Sequence, residues 1–508
     1  MALGKSDFGL YGLIGGLVAL IGVFNTMLAS AVGRFFGVAI GRANSETASS
    51  AVASGESCED SLRADNCVGG LEDCQRWFNV ALALHVLIPL ILVAIGFPIG
   101  LWAIGKYIAI PEGRAEAASW IWCCTCTSCL VGMMTVPFRA MFTAKQEIAE
   151  VTVFEFCSTT CNAVFLFYVV THPGYWLEKY AAWTAFIVSL PNLCVAVRAF
   201  MKYDECKVYL SYMWDVRRIL GLFKYAAARF CSDFPSMFAL QGLAVLVNRH
   251  MGTSFNASMT IGNQVAAQSA TLASSLSGAF WPVIANKCGE GDMDEVRRYS
   301  NIASRMGAML VLVFALPLSL EINEVLKLWL VTPPVFCAPI AMAVMLRVCV
   351  LKITDGYWMA ILGSGRGVMI YCWLFGCADL SLLLIAMVVF ACGFGMWSVV
   401  CGYAFSSIIV LLARIMCGRV FVQMSVKGWL IDVMIPLSAV SIASLAVGAI
   451  SRLSFDASLG RVLLSTVFCE AMFVSLCWKY VLKTEERAIL ARKVSGLTCF
   501  LGLTKRLA

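Results

Sequence analysis

Long apolar runs are the feature that most constrains how this 508-residue chain folds. The runs have 17 to 28 residues each, and short polar stretches separate them. A helix of about 20 residues crosses the roughly 30 Å hydrocarbon core of a bilayer. With 60% hydrophobic and 14% charged residues, the chain has more apolar surface than a water-soluble fold buries. The runs predict an all-α polytopic membrane protein and exclude a soluble enzyme, a nucleic-acid-binding protein and a secreted disulfide scaffold.

The hydropathy pattern predicts thirteen spanning segments. They are residues 10–32, 78–101, 117–138, 151–171, 180–197, 225–247, 258–285, 304–322, 336–363, 368–392, 396–413, 430–450 and 462–478. No connecting loop is long enough to form a separate domain. Prolines within the segments are expected to act as kinks, which membrane helices tolerate.

Basic residues fall mainly on one side of these segments. The loops on that side and the C-terminal tail hold 26 of the 38 lysines and arginines, and the opposite loops hold 8. The first count includes Arg414, Arg419 and Lys427 as loop residues. The positive-inside rule then predicts a plasma (inner) membrane protein with Met1 outside and its C-terminus in the cytoplasm.

The 23 cysteines do not indicate a metal site or a disulfide framework. Most lie in apolar runs, as Cys123, Cys124, Cys126 and Cys129 do, where cysteine packs as a small hydrophobic residue. A metal-binding alternative would need separated ligand pairs or a nearby histidine, and this cluster has neither. We predict no metal and no cofactor.

An internal repeat runs through the chain. Residues 71–82 align without gaps with residues 293–304 at an offset of 222, and residues 28–41 match residues 276–289 more loosely at an offset of 248. The change of 26 residues is interpreted as a disordered, dispensable loop insertion within residues 42–70, which are rich in serine, alanine and acids.

The repeat predicts the domain organisation. Segment 225–247 precedes the second copy of the repeat, whereas no segment precedes 10–32 in the first copy. We therefore expect the first helix of the first copy to be missing, and a complete form to have fourteen helices. Residues 1–200 and 201–425 would be parallel six-helix repeats, and residues 426–508 would add two helices and a basic tail. Transporters built from parallel repeats bind substrate between the halves.

Four stretches carry further landmarks: residues 3–41, 136–150, 314–330 and 361–366. The first of these stretches contains the dipeptide Leu3-Gly4. Together they resemble the polysaccharide exporter branch of the multidrug/oligosaccharidyl-lipid/polysaccharide flippase superfamily, whose members carry a helix ahead of the Leu-Gly element. The resemblance implies a flippase, not an enzyme. It would move a lipid-linked oligosaccharide or polysaccharide unit by alternating access during surface polysaccharide or lipopolysaccharide assembly. The implied partners are that substrate, membrane lipids and other polysaccharide-assembly proteins.

Charged residues inside spanning segments are candidate substrate contacts, because charge at bilayer depth usually faces a cavity. Arg229 and Asp233 share a helical face in the sixth segment. Arg347, Lys352 and Asp355 lie in the ninth, where one acid for two bases leaves a positive charge that could meet a diphosphate. The alternatives are structural ion pairs, a snorkelling Lys352 and an Arg347 bonded to a carbonyl.

Other polar residues have two interpretations each. Asn25, Gln264 and Gln268 suit sugar hydroxyls or interhelical hydrogen bonds. Arg34 and Arg139, at the cytoplasmic edge, are either a substrate gate or topological anchors. Asp379 is alone in the tenth segment and is therefore protonated or paired with a residue from elsewhere.

Three functions are compatible with this sequence. The excess of basic residues within the segments favours a flippase with an anionic substrate over a cation-coupled multidrug exporter of the same superfamily. A membrane-embedded glycan polymerase or acyltransferase is disfavoured, because the external loops are short and hold only His172 and His250 as catalytic candidates. Coupling to a proton or sodium gradient is left open.

Overall fold

The computed structural model describes residues 25–45, 68–106, 114–172, 174, 176–251, 253–330, 332–484 and 486–488. These residues are almost entirely helical, and they contain no strand. Most of the predicted segment 10–32, most of the predicted insertion and the tail beyond residue 488 lie outside the described residues. The predictions made for them stay predictions.

Fifteen helices are numbered here in chain order. They are α1 (25–45), α2 (Val68–Lys106), α3 (Ala115–Met134), α4 (Val136–Ala144), α5 (Ile148–Thr171), α6 (Leu177–Lys202), α7 (Val216–Met251), α8 (Thr253–Glu290), α9 (Met293–Leu330), α10 (Cys337–Ile353), α11 (Asp355–Ser364), α12 (Val368–Ala391), α13 (Trp397–Phe421), α14 (Val426–Ser454) and α15 (Leu459–Val481).

The described helices confirm the all-α membrane class. Ten are long and apolar enough to cross a bilayer, and α10 with α11, bent by 48°, would make an eleventh span. The predicted segment 258–285 lies on α8, which is not among the ten because serine, threonine and glutamine lower its hydropathy. The count of thirteen spans therefore stays a prediction.

The chain divides into two compact units. The first contains the described residues up to Phe230 together with Trp281–Met293, and the second contains Cys231–Phe280 and the described residues from Asp294 onward. Two of the three boundaries, after Phe230 and after Phe280, fall well inside helices, so α7 and α8 each contribute a segment to each unit. The predicted division at residues 200 and 425 stays a prediction.

Close packing in the first unit depends on a glycine. The core beneath α3 contains Ile121, Trp122 and Cys126, so this part of the cysteine-rich helix packs among apolar side chains. The Trp122 indole donates to the Phe97 carbonyl at 3.0 Å. A Cβ atom at Gly100 would overlap that ring, so the tryptophan requires a glycine on α2.

The first unit also contains a crossing between α1 and the end of α8. Gly41 faces the backbone of Asn286, and Gly289 faces the backbone of Val38, each so closely that a Cβ atom would overlap the other helix. At the offset of 248, Val38 corresponds to Asn286 and Gly41 to Gly289. The same contact thus occurs twice, as a pseudo-two-fold axis requires, and it supports the looser of the two sequence alignments.

Both halves of the repeat contain a broken helix. Thr135 separates α3 from α4, and Thr354, 219 residues later, separates α10 from α11. Each hydroxyl donates to the carbonyls four and three residues earlier, at 2.9 and 3.2 Å for Thr135 and at 2.8 and 3.2 Å for Thr354. Hydropathy predicted each of these stretches as one spanning segment, 117–138 and 336–363. It located neither break, because a break between equally apolar pieces leaves the hydropathy unchanged.

Candidate functional site

The break between α10 and α11 is surrounded by charge in the second unit. Asp355, the first residue of α11, accepts from Lys352 at 2.9 Å, from Arg414 at 3.5 Å and from Ser277 at 2.7 Å. Arg414 also donates to the Leu351 carbonyl at 2.7 Å, which the break leaves without its helical partner. We call Lys352, Asp355 and Arg414 the break triad.

The break triad is buried and carries unbalanced charge. The side chains of Lys352, Asp355 and Arg414 are 13%, 8% and 6% exposed. Two cations share one carboxylate, so one positive charge remains. The predicted excess of Arg347 and Lys352 over Asp355 is a different one, because it did not include Arg414. The second cation near Asp355 is Arg414, which the count of basic residues had assigned to a loop. It is instead a buried residue of α13. Lys352 pairs with Asp355, so the snorkelling alternative was wrong.

Arg347 forms a separate, balanced ion pair. It is bonded to Asp379 of α12 and donates to the Ser406 hydroxyl at 3.1 Å. The Ser236 hydroxyl donates to the same carboxylate. Of the two alternatives for Asp379, a bound proton or a partner from elsewhere in the chain, the structure shows the partner, which is Arg347. The charge of Arg347 is therefore neutralised within the protein. The predicted carbonyl partner for Arg347 was wrong.

An exposed polar face runs along α8. Gln264, Gln268, Thr271 and Ser275 are all exposed, and their spacing of four, three and four residues places them on one side of the helix. The two hydroxyls donate to carbonyls of their own helix at 3.1 and 3.2 Å, so their oxygen atoms remain available as acceptors. We call these four residues the α8 polar stripe, and it contains no charged residue.

Three other predicted substrate contacts are half-buried. Asn25 lies at the start of the described part of α1, Arg229 is in the part of α7 that belongs to the first unit, and Asp233 is in the part that belongs to the second. Their roles as substrate contacts stay predictions.

The two edge arginines have local partners. The Arg34 guanidinium lies 5.0 Å from the ring centre of Phe35 and 5.4 Å from that of Tyr225. Arg139 of α4 is paired with Glu155 of α5, and both side chains are nearly half exposed. These are contacts that an anchor makes; the gate alternative stays a prediction.

Two buried ion pairs escaped the sequence analysis. Glu321 of α9 accepts from Arg461 at 2.8 Å and from Ser465 at 3.1 Å, and Arg305 is bonded to Glu486. The side chains of Glu321 and Arg305 are each 1% exposed. Arg461 and Glu486 lie outside the predicted spans, so nothing in the local sequence connected them with these partners.

The described residues also contain no group of three or more histidine, cysteine, aspartate or glutamate side chains placed to hold a metal ion. Hydroxyl, amide and paired charged groups make up the polar sites of the second unit. Such groups can bind and release a polar solute, and they define a binding site more readily than a hydrolytic one.

The order and packing of the helices define a polytopic all-α membrane fold that several solved structures share. Neither a protein family model nor a curated protein sequence matches the chain. Among solved structures, a multidrug resistance MATE transporter of the MOP superfamily in an outward-facing conformation is similar, with a TM-score of 0.63 and 15% identity over 83% of this chain and 93% of that one.

Two further solved structures show the same fold. A MATE protein in complex with MaL6 has a TM-score of 0.61 and 15% identity over 83% of this chain and 94% of that one. A MOP superfamily transporter from Pyrococcus furiosus, described as having a binding pocket of reversed polarity, has a TM-score of 0.59 and 14% identity over 84% and 94%. The structural similarity over most of both chains supports the fold of a multi-pass membrane protein, and it does not confirm the polysaccharide branch.

Proposed function

We propose that the protein exports a lipid-linked oligosaccharide or polysaccharide unit across the plasma membrane by alternating access, for surface polysaccharide assembly. The observation that carries this proposal is the α8 polar stripe. The predicted segment 258–285 would place this stripe at membrane depth, where amide and hydroxyl groups facing lipid are costly because hydrocarbon offers them no hydrogen bonds. A stripe of such groups therefore requires water or a polar substrate in front of it.

The chemistry of the stripe favours a glycan. Gln264 and Gln268 each offer donors and an acceptor, and Thr271 and Ser275 add acceptors, which together match the many hydroxyl groups of a sugar chain. Because these groups are uncharged, they bind sugars without requiring the substrate to carry a net charge. A site built for cations would place a carboxylate in this stripe, and it holds none.

The break triad supplies the proposed contact for the charged end of the substrate. A diphosphate that links a glycan to its lipid carries negative charge, and the excess positive charge of Lys352 and Arg414 would stabilise it in a low-dielectric interior. Arg347 contributes less in this proposal, because Asp379 already neutralises it. Arg229, which the sequence also nominated, keeps its proposed place as a further cation.

A cation-coupled multidrug exporter is the second candidate. Solved transporters with this fold include a multidrug resistance protein, and that fold likeness favours the alternative. The two candidates differ in the substrate that moves and in the groups that bind it. Coupling of either transporter to a proton or sodium gradient is likewise proposed.

Reconstitution with two substrates separates the candidates. Purified protein in liposomes would receive a fluorescent polyprenyl-diphosphate-linked oligosaccharide, whose movement between leaflets is read by dithionite quenching, and in parallel a cationic dye. We expect the glycan to move and the variant Gln264→Leu/Gln268→Leu to slow it at least tenfold.

Gln241→Leu is the matched control, since Gln241 is an exposed amide on α7 outside the stripe. It should move the glycan at the wild-type rate. Dye transport without glycan movement, or a double variant as fast as wild type, would contradict the proposal.

A further inference from the structure

The first turns of α7 extend beyond the length that a membrane span needs. The helix has 36 residues, which is about 54 Å at a rise of 1.5 Å per residue. A hydrocarbon core of roughly 30 Å accommodates about 20 residues, and the predicted segment 225–247 would occupy it. With that segment in the core, residues 216–224 lie at the depth of the lipid headgroups. They are on the side that the positive-inside rule predicts to be cytoplasmic.

Asp215 fixes where α7 begins and how its first turn is oriented. Its carboxylate accepts from the backbone N–H groups of Arg217 at 3.0 Å and of Arg218 at 3.3 Å, as an N-cap residue does. The Arg218 side chain forms ion pairs with Asp73 of α2 at 2.7 Å and with Asp215 at 3.0 Å. Leu222, one turn further on, is 1% exposed. One side of the first turns of α7 is therefore packed against the first unit.

The other side of these turns is exposed and has both cations and large apolar side chains. Arg217, Leu220 and Lys224 are spaced by three and four residues, so they share one face of the helix. Phe223 lies next to this face, and Trp214 directly precedes the helix. The exposed fractions are 64% for Trp214, 51% for Leu220 and 45% for Phe223, and both cations are exposed as well. We call these five residues the α7 basic-apolar stripe.

The two cations of the stripe have no counter-charge in the protein, unlike the basic residues around them. Arg218 is paired as described above, and Arg76 of α2 is paired with Glu72 at 2.6 Å. Within the part of the chain that the structure describes, the side chains of Arg217 and Lys224 have neither an ion-pair nor a hydrogen-bond partner. The stripe therefore combines two positive charges, no negative charge and three exposed apolar side chains.

We propose that the α7 basic-apolar stripe binds the headgroups of anionic phospholipids. The Arg217 guanidinium and the Lys224 ammonium would donate to phosphate oxygens, and the lipid would supply the counter-charge that the protein does not. Leu220 and Phe223 would lie against the upper part of the acyl chains, and the Trp214 ring would lie at the boundary between headgroups and hydrocarbon.

The apolar members of the stripe favour a lipid surface over a soluble anion. A phosphate ion from solution would leave the side chains of Trp214, Leu220 and Phe223 in water. A lipid covers those side chains and brings a phosphate to the cations in the same contact, as at other basic amphipathic helices on membranes. The proposal does not rest on glycan export, because it concerns a different helix from the α8 polar stripe.

The test measures which lipid lies next to Trp214 in the full-length protein. Nanodiscs of phosphatidylcholine would contain, at equal mole fraction, either a phosphatidylglycerol or a phosphatidylcholine with acyl chains brominated near the headgroup. Bromine quenches tryptophan fluorescence on contact, and the Trp214 signal is the difference between wild type and Trp214→Phe. A cation near an anionic surface gives roughly a fivefold preference for it. We expect the anionic lipid to quench this signal at least threefold more than the neutral lipid does.

The double variant Arg217→Gln/Lys224→Gln should remove that preference and leave quenching by the neutral lipid unchanged. Lys427→Gln is the matched control, because Lys427 is also an exposed lysine without an ion pair in the described residues, on the same predicted side. The nearby Trp429 is buried, so no exposed aromatic side chain accompanies this lysine. The control variant should keep the wild-type preference at Trp214. Thermal unfolding of each variant would show that it is folded.

Equal quenching by the two brominated lipids in wild type would overturn the proposal, and so would a folded double variant that keeps the preference. Absence of quenching by either lipid would also overturn it and would show that water or another protein covers the stripe. Inorganic phosphate, added at constant ionic strength, should leave the preference unchanged. Its loss on adding phosphate would overturn the lipid assignment in favour of a soluble anion.

Discussion

At the break between α3 and α4, Thr135 is followed by Val136 and Pro137, whereas Thr354, between α10 and α11, is followed by Asp355 and Gly356. In the first case proline in the opening turn of α4 favours a new helix start without any charge. In the second case the opened backbone is bonded by side chains from other helices.

Those side chains are specific to the second break. Arg414 donates to the Leu351 carbonyl at 2.7 Å, and Trp429 donates to the Ile353 carbonyl at 3.1 Å. The threonine hydroxyl geometry is the same at both breaks. The two breaks therefore share the same threonine hydrogen bonds, and only the second break is bonded by a charged side chain from another helix.

The largest expected effect comes from removing the shared carboxylate. Asp355→Asn would leave Lys352 and Arg414 buried without a counter-charge, which typically costs about 3 to 5 kcal/mol. Thermal unfolding in detergent should show a large fall in the melting temperature. Pro137→Ala at the first break should have a much smaller effect, and equal losses would end the distinction between the two breaks.

Space at the two breaks also differs. A Cβ atom at Gly356 would overlap the backbone of Ser300, whereas one at Gly132, just before the first break, would meet nothing within 4 Å. Gly356→Ala should destabilise by about 1 to 3 kcal/mol through overpacking. Gly132→Ala should be neutral or stabilising by up to about 1 kcal/mol, because alanine favours helix. Denaturant unfolding of both variants tests this, and a tolerated Gly356→Ala would mean that α9 and α11 are less tightly packed.

The triad's excess charge gives a prediction about transport. In Lys352→Gln, Arg414 still neutralises Asp355, so stability should change little. Loss of one charged hydrogen bond to the substrate, about 1.5 to 3 kcal/mol, should slow movement of a diphosphate-linked glycan roughly tenfold or more. The rate per folded molecule in liposomes is the measurement. An unchanged rate would show that the triad is purely structural.

The smallest expected effect is at the polar turn that follows α4. Glu147 accepts from Tyr203 at 2.6 Å and is bonded to Lys202, and these hydrogen bonds, that from Lys202 first, lower the pKa of its carboxyl. A lowered pKa in the folded state means that the contribution to stability exists at neutral pH and is lost as the pH falls.

Because Glu147 is 42% exposed, that contribution is small. Melting temperatures of wild type and Glu147→Gln should differ slightly at pH 7 and converge only below the usual glutamate pKa of about 4.3. A difference that persists at lower pH would assign it to packing.

Sequence alone reached the helical class, and it named Lys352 and Asp355 as neighbours in one segment. Lys352 and Asp355 are three residues apart in one predicted segment, so their spacing alone suggests a pair, although the break places them on α10 and α11. Arg414 was missed because it closes an apolar run, and a basic residue in that position is ordinarily a loop residue. Its partner is 59 positions away. Contacts of that kind depend on how helices pack, which hydropathy does not encode.

Glu470, an acid of α15 within the predicted segment 462–478, was missed for a different reason. It is one charge in a strongly apolar run, and only the packing of α8, α9 and α15 shows that it lines a groove. The family resemblance pointed to a fold that solved transporters of the MOP superfamily share. The choice among substrates depends on which side chains face open space.

The crossing at Gly41 and Gly289 has a consequence for how such a chain can evolve. After a duplication, most paired positions mutate independently, and the two helix breaks show how far they can diverge. Gly41 and Gly289 are constrained together, since each lies against the residue three positions before the other glycine: Gly41 against Asn286, and Gly289 against Val38. A change in the distance between α1 and α8 alters the contacts of both glycines at once, so selection acts on the two glycines as a pair. At this crossing the two copies inherit a single shared constraint.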